Sequence, residues 1–503
     1  MTRILGLSGS LRNARTTSNS TLCSDIRGIN TQNELLKYLK SQTTILVDAV
    51  LEAGKGNEDS YLKTYESLRA KARDQGLSNS EAGLVCGLWA ASQEGCEIEH
   101  LSLARHFPPA GQIMHVDELK RKILDSDALL ISGPVYFGDR SSLVQSFIDF
   151  CYQDDEILSH LKGKVYAGIS VGAKRNGGQE TSLIYQMLDM VNMGMLSVGN
   201  DSKTTSQYGG TVVAGDIGKL IDDDYGIRTC ISTGSRIAHV SQLEVLTKEK
   251  TFTGKVKIHM LLLQDSKDRK GLKHFNLWIS DMKKVHPEIE IVFWDVVSEK
   301  VIRCIACDIC PTDVGVPKDY RCIIKRKDDF MMKYHKEIVD ADALLICAYN
   351  PKNRKELLSY YQQFMERTRY IRRDNYLYSD LLVSPFVISE LSARQNIHIR
   401  IMTSLIRHQT ILSHPLIGMI HDGIYINENE VRDNSIDFIE RAAKIAQSRI
   451  DKSNLPDSTY QPVGYIISKQ KMENDKKSGR LDKAINSAKT YRKKKQLKRM
   501  NDA

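Results

Sequence analysis

One seven-residue phrase occurs twice in the sequence, and this repetition is the strongest constraint on the fold. Residues 125–131 read DSDALLI, and residues 340–346 read DADALLI. Each phrase follows a helix-like stretch and precedes a turn that contains Pro and Tyr. Uninterrupted apolar runs of this kind indicate strands that are buried on both faces of a parallel sheet. We therefore predict two tandem α/β units, each a doubly wound, parallel, five-stranded sheet covered by helices.

The length of the chain agrees with two units, because 503 residues exceed one ordinary hydrophobic core. We predict a first domain over residues 1–245, a second over 255–455 and a tail over 466–503. The first domain contains an additional segment, residues 20–77, whose two helical stretches predict a two-helix insertion. The insertion follows the first strand, at the edge where open α/β sheets bind ligands. A lid, an oligomer contact and a packing extension are all compatible with it.

The net charge of +9 belongs to the tail. Residues 466–503 hold 13 Lys and Arg against 4 Asp and Glu, so the remaining residues sum to about zero. Such a tail can bind nucleic acid, an acidic partner or anionic lipid, or it can be a solvated segment that aids solubility. No stretch approaches the ~20 apolar residues that a membrane span needs. The N-terminus also lacks the features of a signal peptide, so we expect a cytoplasmic protein without membrane contact.

The first predicted strand leads into LSGSLRNARTTSNS, residues 7–20, which has the character of a phosphate-binding loop. Small residues and hydroxyl groups follow a buried strand, and backbone N–H groups at such a turn form a nest for a phosphate dianion. The loop has neither GxGxxG nor a Walker lysine, which argues against a nucleoside triphosphate. The candidate phosphate contacts are Ser8, Ser10, Leu11, Arg12, Thr17 and Ser18.

Two further segments follow the third and fourth predicted strands. GPVYFGDRSS spans residues 133–142, and VGAKRNGGQET spans residues 171–181. The first offers aromatic side chains that can flank a flat ring, and the second offers glycines that let backbone N–H groups approach ring heteroatoms. A phosphate loop, an aromatic turn and a glycine turn together favour a mononucleotide with a planar ring, such as FMN. The candidate ring contacts are Pro134, Val135, Tyr136, Phe137, Gly138, Gly172, Gly177 and Gly178.

Three motifs carry a resemblance to a known group of proteins. GSLR (residues 9–12), PVYFG (134–138) and GGQET (177–181) resemble the NADPH-dependent FMN reductase and iron–sulfur flavoprotein branch of the flavodoxin-like superfamily. The resemblance implies a flavodoxin-like fold, an NAD(P)H-dependent oxidoreductase and a homo-oligomer. It also implies that the first motif binds the FMN phosphate and the other two contact the isoalloxazine. Because the insertion interrupts the first motif's loop, either residues 16–19 or residues 78–80 close on the phosphate.

Four of the ten cysteines are grouped as C-x2-C-x2-C-x11-C, at Cys304, Cys307, Cys310 and Cys322. In a reducing compartment, such grouping indicates a metal or redox site rather than disulfides. The spacing is compatible with a [4Fe–4S] cluster, with zinc or with free thiols. The resembled iron–sulfur flavoproteins carry a [4Fe–4S] cluster on a compact cysteine motif in the corresponding loop, so the resemblance favours the cluster. The long final gap makes Cys347 an alternative fourth ligand.

The second predicted domain differs from the first at the phosphate position. Its first strand ends in LQDSKDRKG, where Asp265 and Asp268 would repel a dianion, so we predict that it binds no flavin. The stretch ERTRYIRRDN, residues 366–375, concentrates four arginines. They either hold the phosphates of a nicotinamide nucleotide or form a solvated helix end.

These features predict a flavin-dependent oxidoreductase or electron-transfer protein. It would pass electrons between NAD(P)H or ferredoxin, FMN and a [4Fe–4S] cluster to an unidentified small molecule or redox partner. A dedicated electron donor to one partner enzyme is the alternative within this class. A zinc-stabilised scaffold that binds nucleic acid or another partner through the basic tail is the alternative from a different class. The sequence identifies no catalytic side chain.

Overall fold

A computed structural model divides the chain into two compact units, Met1–Val245 and Leu246–Ala503. The structure describes residues 1–16, 21–55, 61–72, 74–201, 203–204, 206–247, 256–307, 310, 320, 322–356, 358–373, 376–394, 396–451, 470, 473–474 and 477–479. Most of the predicted basic tail therefore lies outside the described residues.

The sheet of the first unit has the strand order of a doubly wound fold. It consists of β1 (Arg3–Ser8), β2 (Glu97–Ser102), β3 (Ala128–Pro134), β4 (Val165–Gly172), β5 (Leu196–Ser197) and β6 (Gly210–Val213). The order is β2–β1–β3–β4, with β5 and β6 both paired to β4, and all pairs are parallel. The five predicted strands are present, and β6 corrects the count to six. The order reverses between β1 and β3, which is where such sheets bind ligands.

Ten helices connect these strands within the described part of the first unit. They are α1 (Leu22–Arg27), α2 (Gln32–Gly54), α3 (Tyr61–Ala72), α4 (Asn79–Gln93), α5 (Leu103–His106), α6 (Val116–Leu124), α7 (Ser142–Tyr152), α8 (Asp155–Leu161), α9 (Gln179–Asn192) and α10 (Asp224–Thr247). The insertion thus contains three helices, α1 to α3, rather than the predicted two. Thr31 and Glu34 start α2 with a reciprocal capping box.

The insertion has a small hydrophobic core of its own. Leu46, Ala49 and Ala53 of α2 pack with Leu68 and Ala72 of α3. Ala14, from the loop after β1, is part of the same cluster. Burial of apolar surface therefore joins the insertion to that loop.

The second unit has a sheet of seven described strands in a related order. They are β7 (Lys257–Leu263), β8 (Glu290–Asp295), β9 (Ala343–Asn350), β10 (Leu382–Glu390), β11 (Ile411–Leu412), β12 (Leu416–His421) and β13 (Ile424–Tyr425). The parallel order is β8–β7–β9–β10, with β11 and β12 both paired to β10. Strand β13 pairs with β12 in the antiparallel direction, so the prediction of five purely parallel strands is corrected here as well.

Seven α-helices lie in the described part of the second unit. They are α11 (Lys270–Val285), α12 (Phe330–Lys333), α13 (His335–Ile338), α14 (Leu358–Arg367), α15 (Arg369–Arg373), α16 (Ile397–Leu405) and α17 (Glu428–Asp451). Among the described residues, no helix is both long enough and apolar enough to cross a bilayer.

Helix α4 is the central helix of the first unit and is buried along almost its whole length. Gly87 of this helix lies against Gly234 of α10. A Cβ atom at Gly234 would collide with the carbonyl oxygen of Gly87 and lie 2.7 Å from its Cα. This crossing therefore requires a glycine, because the obstacle is backbone and cannot rotate away.

We expect Gly234→Ala to lower the free energy of unfolding by about 1–3 kcal/mol, the usual cost of overpacking. Gly54→Ala is the control, because Gly54 ends α2 and a Cβ there meets no atom within 4 Å. Urea denaturation followed by circular dichroism measures both. Equal midpoints for the two variants would contradict the backbone contact.

Candidate functional site

The three segments predicted to hold FMN follow adjacent parallel strands and meet at one edge of the first unit. We call them the β1 loop (residues 9–16), the aromatic turn (134–139) and the glycine turn (172–178). Gly9 N donates to the carbonyl of Ser132 at 2.8 Å, and Ser141 Oγ donates to the carbonyl of Gly9 at 2.7 Å. These bonds join the β1 loop to the end of β3 and to the start of α7.

Asn13 organises the β1 loop from inside. Its side-chain nitrogen donates to the Ser8 hydroxyl at 2.7 Å and to the Ser102 hydroxyl at 3.1 Å. Its side-chain oxygen accepts from the Ser78 hydroxyl at 2.6 Å. Asn13 and Ser8 are fully buried, so the Ser8 hydroxyl lies inside the fold rather than at a ligand surface. No local sequence pattern singled out Asn13 as part of the site.

The outward part of the β1 loop consists of residues 10–12. Ser10 accepts a hydrogen bond from the Arg12 backbone N–H at 3.2 Å. Leu11 and Arg12 are exposed, and Ser10 is half-buried. Of the candidate phosphate contacts, these three therefore face outward, whereas Thr17 and Ser18 lie outside the described residues.

Helix α4 begins directly behind the β1 loop. Ser78 caps it, accepting from the Glu81 backbone N–H at 3.1 Å. Glu81 also lies close to His100, with 3.3 Å between Oε1 and Nε2, and both side chains are almost completely buried. His100 Nε2 lies 3.4 Å from the Ser8 hydroxyl. Buried polar side chains therefore support the loop from below, and breaking hydrogen bonds among such groups is costly.

The insertion holds the other side of the β1 loop. Arg15 is only 3% exposed, and its guanidinium donates to Gln42 Oε1 at 2.7 Å and to the carbonyl of Gly76 at 3.3 Å. The backbone N–H of Thr16 donates to Asp74 Oδ1 at 2.7 Å. The β1 loop is thus fixed between the sheet and the insertion.

The aromatic turn presents two side chains to solvent. Tyr136 and Asp139 exchange two backbone hydrogen bonds of 2.9 Å across Phe137 and Gly138. Both central residues have positive φ angles, 53° at Phe137 and 82° at Gly138, as in a two-residue hairpin turn. Phe137 is fully exposed and Tyr136 is 59% exposed. A bulky residue held in this costly conformation with its ring in water is a feature of ligand-binding turns.

The glycine turn fits against the aromatic turn. Gly178 has a φ angle of 101°, and a Cβ there would lie 2.7 Å from the Cα of Gly138. Gln179 folds back and donates to the carbonyls of Lys174 at 2.8 Å and Val212 at 3.1 Å. The two turns therefore pack backbone to backbone.

Gly172 and Gly177 have structural roles in this turn. A Cβ at Gly172 would lie 2.5 Å from Gln179 Nε2, so its absence leaves space for that side chain. The N–H of Gly177 donates to Gln179 Oε1 at 2.9 Å and to the carbonyl of Lys174 at 3.1 Å. The N–H of Gly177 is thus engaged within the turn, whereas the sequence analysis assigned it to the ring of a ligand.

The cysteine segment (residues 304–322) lies in the second unit. Cys304 and Cys307 are half-buried, Cys310 and Cys322 are buried, and all four are free thiols. Burial raises the pKa of Cys310, and the nearby thiols of Cys322 and Cys307 raise it further. Within the described ranges, however, no three His, Cys, Asp or Glu side chains are arranged to hold a metal ion. Cys347, the alternative ligand, is fully buried within β9.

Arginines of α14 and α15 surround these thiols. Arg367 NH2 lies 3.8 Å from the sulfur of Cys322, and Arg369 NH1 lies 3.9 Å from the sulfur of Cys304. The Arg373 guanidinium lies near Cys310 and lowers the pKa of that thiol, which offsets part of the rise. Arg367 and Arg373 are 2% and 1% exposed, so the interpretation of this stretch as a solvated helix end is wrong for both.

Arg367 also forms the main buried ion pair of this region. Its two terminal nitrogens donate to the two carboxylate oxygens of Asp329, each at 2.9 Å, and both side chains are almost completely buried. Asp329 caps α12 at the same time by accepting from the Met332 backbone N–H at 3.2 Å. The neighbouring Asp328 is exposed and pairs with Arg326 and Lys300 at the surface.

In the second unit, the loop after β7 contains a carboxylate inside a nest of backbone N–H groups. Asp265 accepts from the N–H of Lys267 at 3.1 Å, Lys355 at 3.0 Å and Glu356 at 3.2 Å. The first two of these bonds are the main reason why the pKa of Asp265 is lowered. This loop follows the first strand of its sheet, as the β1 loop does in the first unit.

We expect Asp329→Ala to destabilise the second unit by about 3–5 kcal/mol, because it leaves the Arg367 guanidinium buried without its carboxylate. Asp328→Ala is the adjacent control and is expected to change stability little, since exposed pairs contribute little. Thermal unfolding of both variants checks this. A melting temperature for Asp329→Ala equal to that of Asp328→Ala would rule out the buried pair.

One protein family and several known proteins match part of this chain. The NADPH-dependent FMN reductase family matches residues 78–208. An iron–sulfur flavoprotein of Methanocaldococcus jannaschii is 34% identical over 167 residues, which are 31% of this chain and 86% of that protein. An iron–sulfur flavoprotein of Methanosarcina thermophila is 29% identical over 136 residues, 27% of this chain and 66% of that protein. An NAD(P)H dehydrogenase (quinone) of Acidovorax ebreus is 28% identical over 176 residues, 32% of this chain and 82% of that protein.

These matches confirm the resemblance inferred from GSLR, PVYFG and GGQET, and they agree with the strand order of the first sheet. The chain therefore belongs to the flavodoxin-like branch of flavin-dependent oxidoreductases that contains the NADPH-dependent FMN reductases and the iron–sulfur flavoproteins.

Proposed function

We propose that the chain binds FMN at the edge where the β1 loop, the aromatic turn and the glycine turn meet. The observation that carries this proposal is the backbone packing of Gly178 against Gly138, beside the exposed rings of Tyr136 and Phe137. A cleft built from backbone and flanked by exposed aromatic rings fits a planar heterocycle. The aromatic side chains can pack against the faces of the heterocycle, and backbone groups can form hydrogen bonds with its edge.

The residues of the first unit divide into two groups in this proposal. Ser10, Leu11 and Arg12 contact the phosphate with backbone N–H groups and one positive charge. Thr17 and Ser18, the other candidates from the sequence, lie outside the described residues. The ring lies against the aromatic and glycine turns, which contain Pro134, Val135, Tyr136, Phe137, Gly138 and Gly178. Ser8, Gly172 and Gly177 support these contacts from within the fold, as their hydrogen bonds and packing indicate.

When bound, FMN can accept a hydride and release single electrons. The chain's own contribution is to hold the ring at the sheet edge, to limit water access with the aromatic side chains and to keep the β1 loop fixed through Asn13 and Arg15. We propose NAD(P)H as the hydride donor, since the matched family is NADPH-dependent. The acceptor is a small molecule or a redox protein, and a quinone is one candidate because a relative is named for it.

We further propose that Cys304, Cys307, Cys310 and Cys322 hold a [4Fe–4S] cluster. The support consists of four free thiols with C-x2-C-x2-C-x11-C spacing and the names of two relatives. Thiolate is the ligand that such clusters require, and zinc is the alternative occupant of the same donor set. A cluster passes one electron at a time, which is compatible with a flavin in the same chain.

We propose that the second unit binds no flavin of its own. The carboxylate of Asp265 already accepts three backbone hydrogen bonds after β7, in the loop that corresponds to the β1 loop. A phosphate dianion there would be repelled by this ionised side chain.

The ten free cysteines support a reducing compartment such as the cytoplasm, and a homo-oligomer stays part of the proposal.

After anaerobic purification, we expect one FMN per chain and about four irons, the content of one [4Fe–4S] cluster. Absorbance together with iron, sulfide and zinc analysis measures these quantities. Cys307→Ser is expected to lower the iron content severely and to leave FMN unchanged, because the flavin lies in the first unit. Cys23→Ser, at a half-buried cysteine of α1, is the control and retains both.

The metal and flavin contents also separate the competing functions. A purified protein that contains flavin and zinc but no iron would be an FMN reductase with a structural metal site. A protein with neither flavin nor iron would overturn the redox proposal and favour the scaffold that uses its basic tail.

We expect Gly178→Ala to weaken FMN binding at least about tenfold, which corresponds to about 1.4 kcal/mol. The added Cβ would push the glycine turn away from Gly138. Gly111→Ala is a matched control, because its φ of 108° is similar but a Cβ there meets no atom within 4 Å. Fluorescence quenching of FMN by apoprotein measures both dissociation constants, and equal losses of affinity would show that backbone strain alone is responsible.

A further inference from the structure

Three arginines lie together where β9 and β10 end in the second unit. Arg354 is in the turn after β9, and Arg394 is in the turn after β10. Arg400 is in the first turn of α16, the helix that follows β10. The two strands pair in parallel as far as Asn350 and Ser389, so the turns after them lie side by side. We call the three arginine side chains the arginine cluster.

A buried asparagine joins the two turns. Asn350 is 1% exposed, and its Nδ2 donates to the Ser389 hydroxyl at 2.8 Å and to the carbonyl of Arg394 at 2.9 Å. The backbone N–H of Arg354 donates to the carbonyl of Pro351 at 3.2 Å, within the turn after β9. Both turns are therefore held in place without a ligand, which lowers the ordering cost of binding one.

The charge of the arginine cluster is not compensated within the part of the chain that the structure describes. Arg394 and Arg400 are exposed and Arg354 is half-buried, and no described carboxylate pairs with any of them. Nη1 of Arg354 is buried and has no hydrogen-bond partner among the described residues. Burial lowers the pKa of Arg354, and the charges of Arg394 and Arg400 lower it further. The three cations are thus close enough to repel one another, which costs free energy in the unliganded protein.

Two carboxylates of the same sheet edge have other partners. Glu390, at the end of β10, accepts from the Tyr349 hydroxyl at 2.6 Å and from the Lys352 N–H at 2.9 Å. Its Oε1 also lies 3.6 Å from Nζ of Lys270. Asp265 is held by backbone N–H groups in the loop after β7. Neither carboxylate forms an ion pair with the arginine cluster.

Helix α16 begins beside these arginines and adds to the positive potential. Asn396, the residue before this nine-residue helix, has a φ of 78°, and its side chain caps no backbone N–H. The first backbone N–H groups of the helix therefore have no side-chain cap, and they carry the positive end of its dipole.

We propose that the arginine cluster binds an anion with two linked phosphate groups, either inorganic pyrophosphate or the diphosphate of a nucleotide. Guanidinium groups match phosphate oxygens with paired hydrogen bonds. Three cations favour a ligand with several negative charges over a single carboxylate. The site consists of residues of the second unit alone, and the proposal holds whether or not the first unit binds FMN.

The test is isothermal titration calorimetry of the full-length protein with inorganic pyrophosphate at low ionic strength. An excess of FMN is present to fill the candidate phosphate position of the first unit. We expect binding of one pyrophosphate per chain. Arg354→Gln and Arg394→Gln are each expected to weaken binding at least about tenfold, because each removes a charge-assisted hydrogen-bond donor.

Lys283→Gln is the matched control, because it also removes one positive charge from the second unit. Lys283 is exposed in the last turn of α11, which connects the end of β7 to the start of the parallel strand β8. It therefore lies at the opposite edge of the sheet, and we expect its replacement to change the affinity much less.

Thermal unfolding without pyrophosphate gives a second measurement. An arginine that serves only the fold would stabilise it, whereas an unpaired cation repelled by two others does not. We expect Arg354→Gln to unfold at the same temperature as the unmodified protein or at a higher one. Pyrophosphate is then expected to raise the unfolding temperature of the unmodified protein and to have a much smaller effect on Arg354→Gln.

Titrations with two further anions identify the source of the ligand. Tighter binding of adenosine diphosphate than of pyrophosphate would support a nucleotide, and the reverse would support the inorganic anion. The proposal would be overturned by an absence of pyrophosphate binding, by equal losses of affinity in Arg354→Gln and Lys283→Gln, or by succinate binding as tightly as pyrophosphate. A large loss of stability in unliganded Arg354→Gln would also contradict it, since that result would assign the arginine to the fold.

Discussion

The side chain of Asn13 connects three parts of the first unit, and the candidate flavin site depends on it. Its buried amide group forms hydrogen bonds with the end of β1, the end of β2 and the N-terminal cap of α4. Because every polar atom around it is buried, the β1 loop cannot move without leaving hydrogen bonds unmade, each costing about 1–3 kcal/mol. The outward residues 10–12 are therefore presented on a fixed base, which lowers the ordering cost of binding a phosphate.

Contacts at glycines also fix the other two turns of the candidate flavin site. Gly178 lets the glycine turn touch the aromatic turn, and Gly172 leaves room for Gln179 to fill the space behind it. The rings of Tyr136 and Phe137 stay in solvent because the turn below them is closed by its own backbone bonds. Packing between backbones, rather than side-chain chemistry, thus shapes the cleft, and this agrees with a cofactor that supplies the reactive atoms itself.

The parallel strands of the second unit follow the same order as those of the first, but its charged groups are arranged differently. A carboxylate, Asp265, takes up the backbone N–H groups after β7, and cationic side chains collect around the cysteine segment instead. The ion pair of Arg367 with Asp329 fixes one of those cations in place. In the proposed division of labour, the first unit binds an anionic flavin and the second unit binds none.

The sequence by itself determined the α/β class, five strands in each unit and the three turns of the candidate flavin site. Those features depend on local apolar runs and on glycine and proline at fixed positions, which act within a few residues. The tertiary structure decided which polar groups are buried and what they contact. Asn13 meets Ser78 across 65 residues, and Arg367 meets Asp329 across 38. No local pattern encodes such pairs, so arginines that resemble a solvated helix end became buried partners of cysteine sulfurs, and a serine assigned to phosphate became part of the interior.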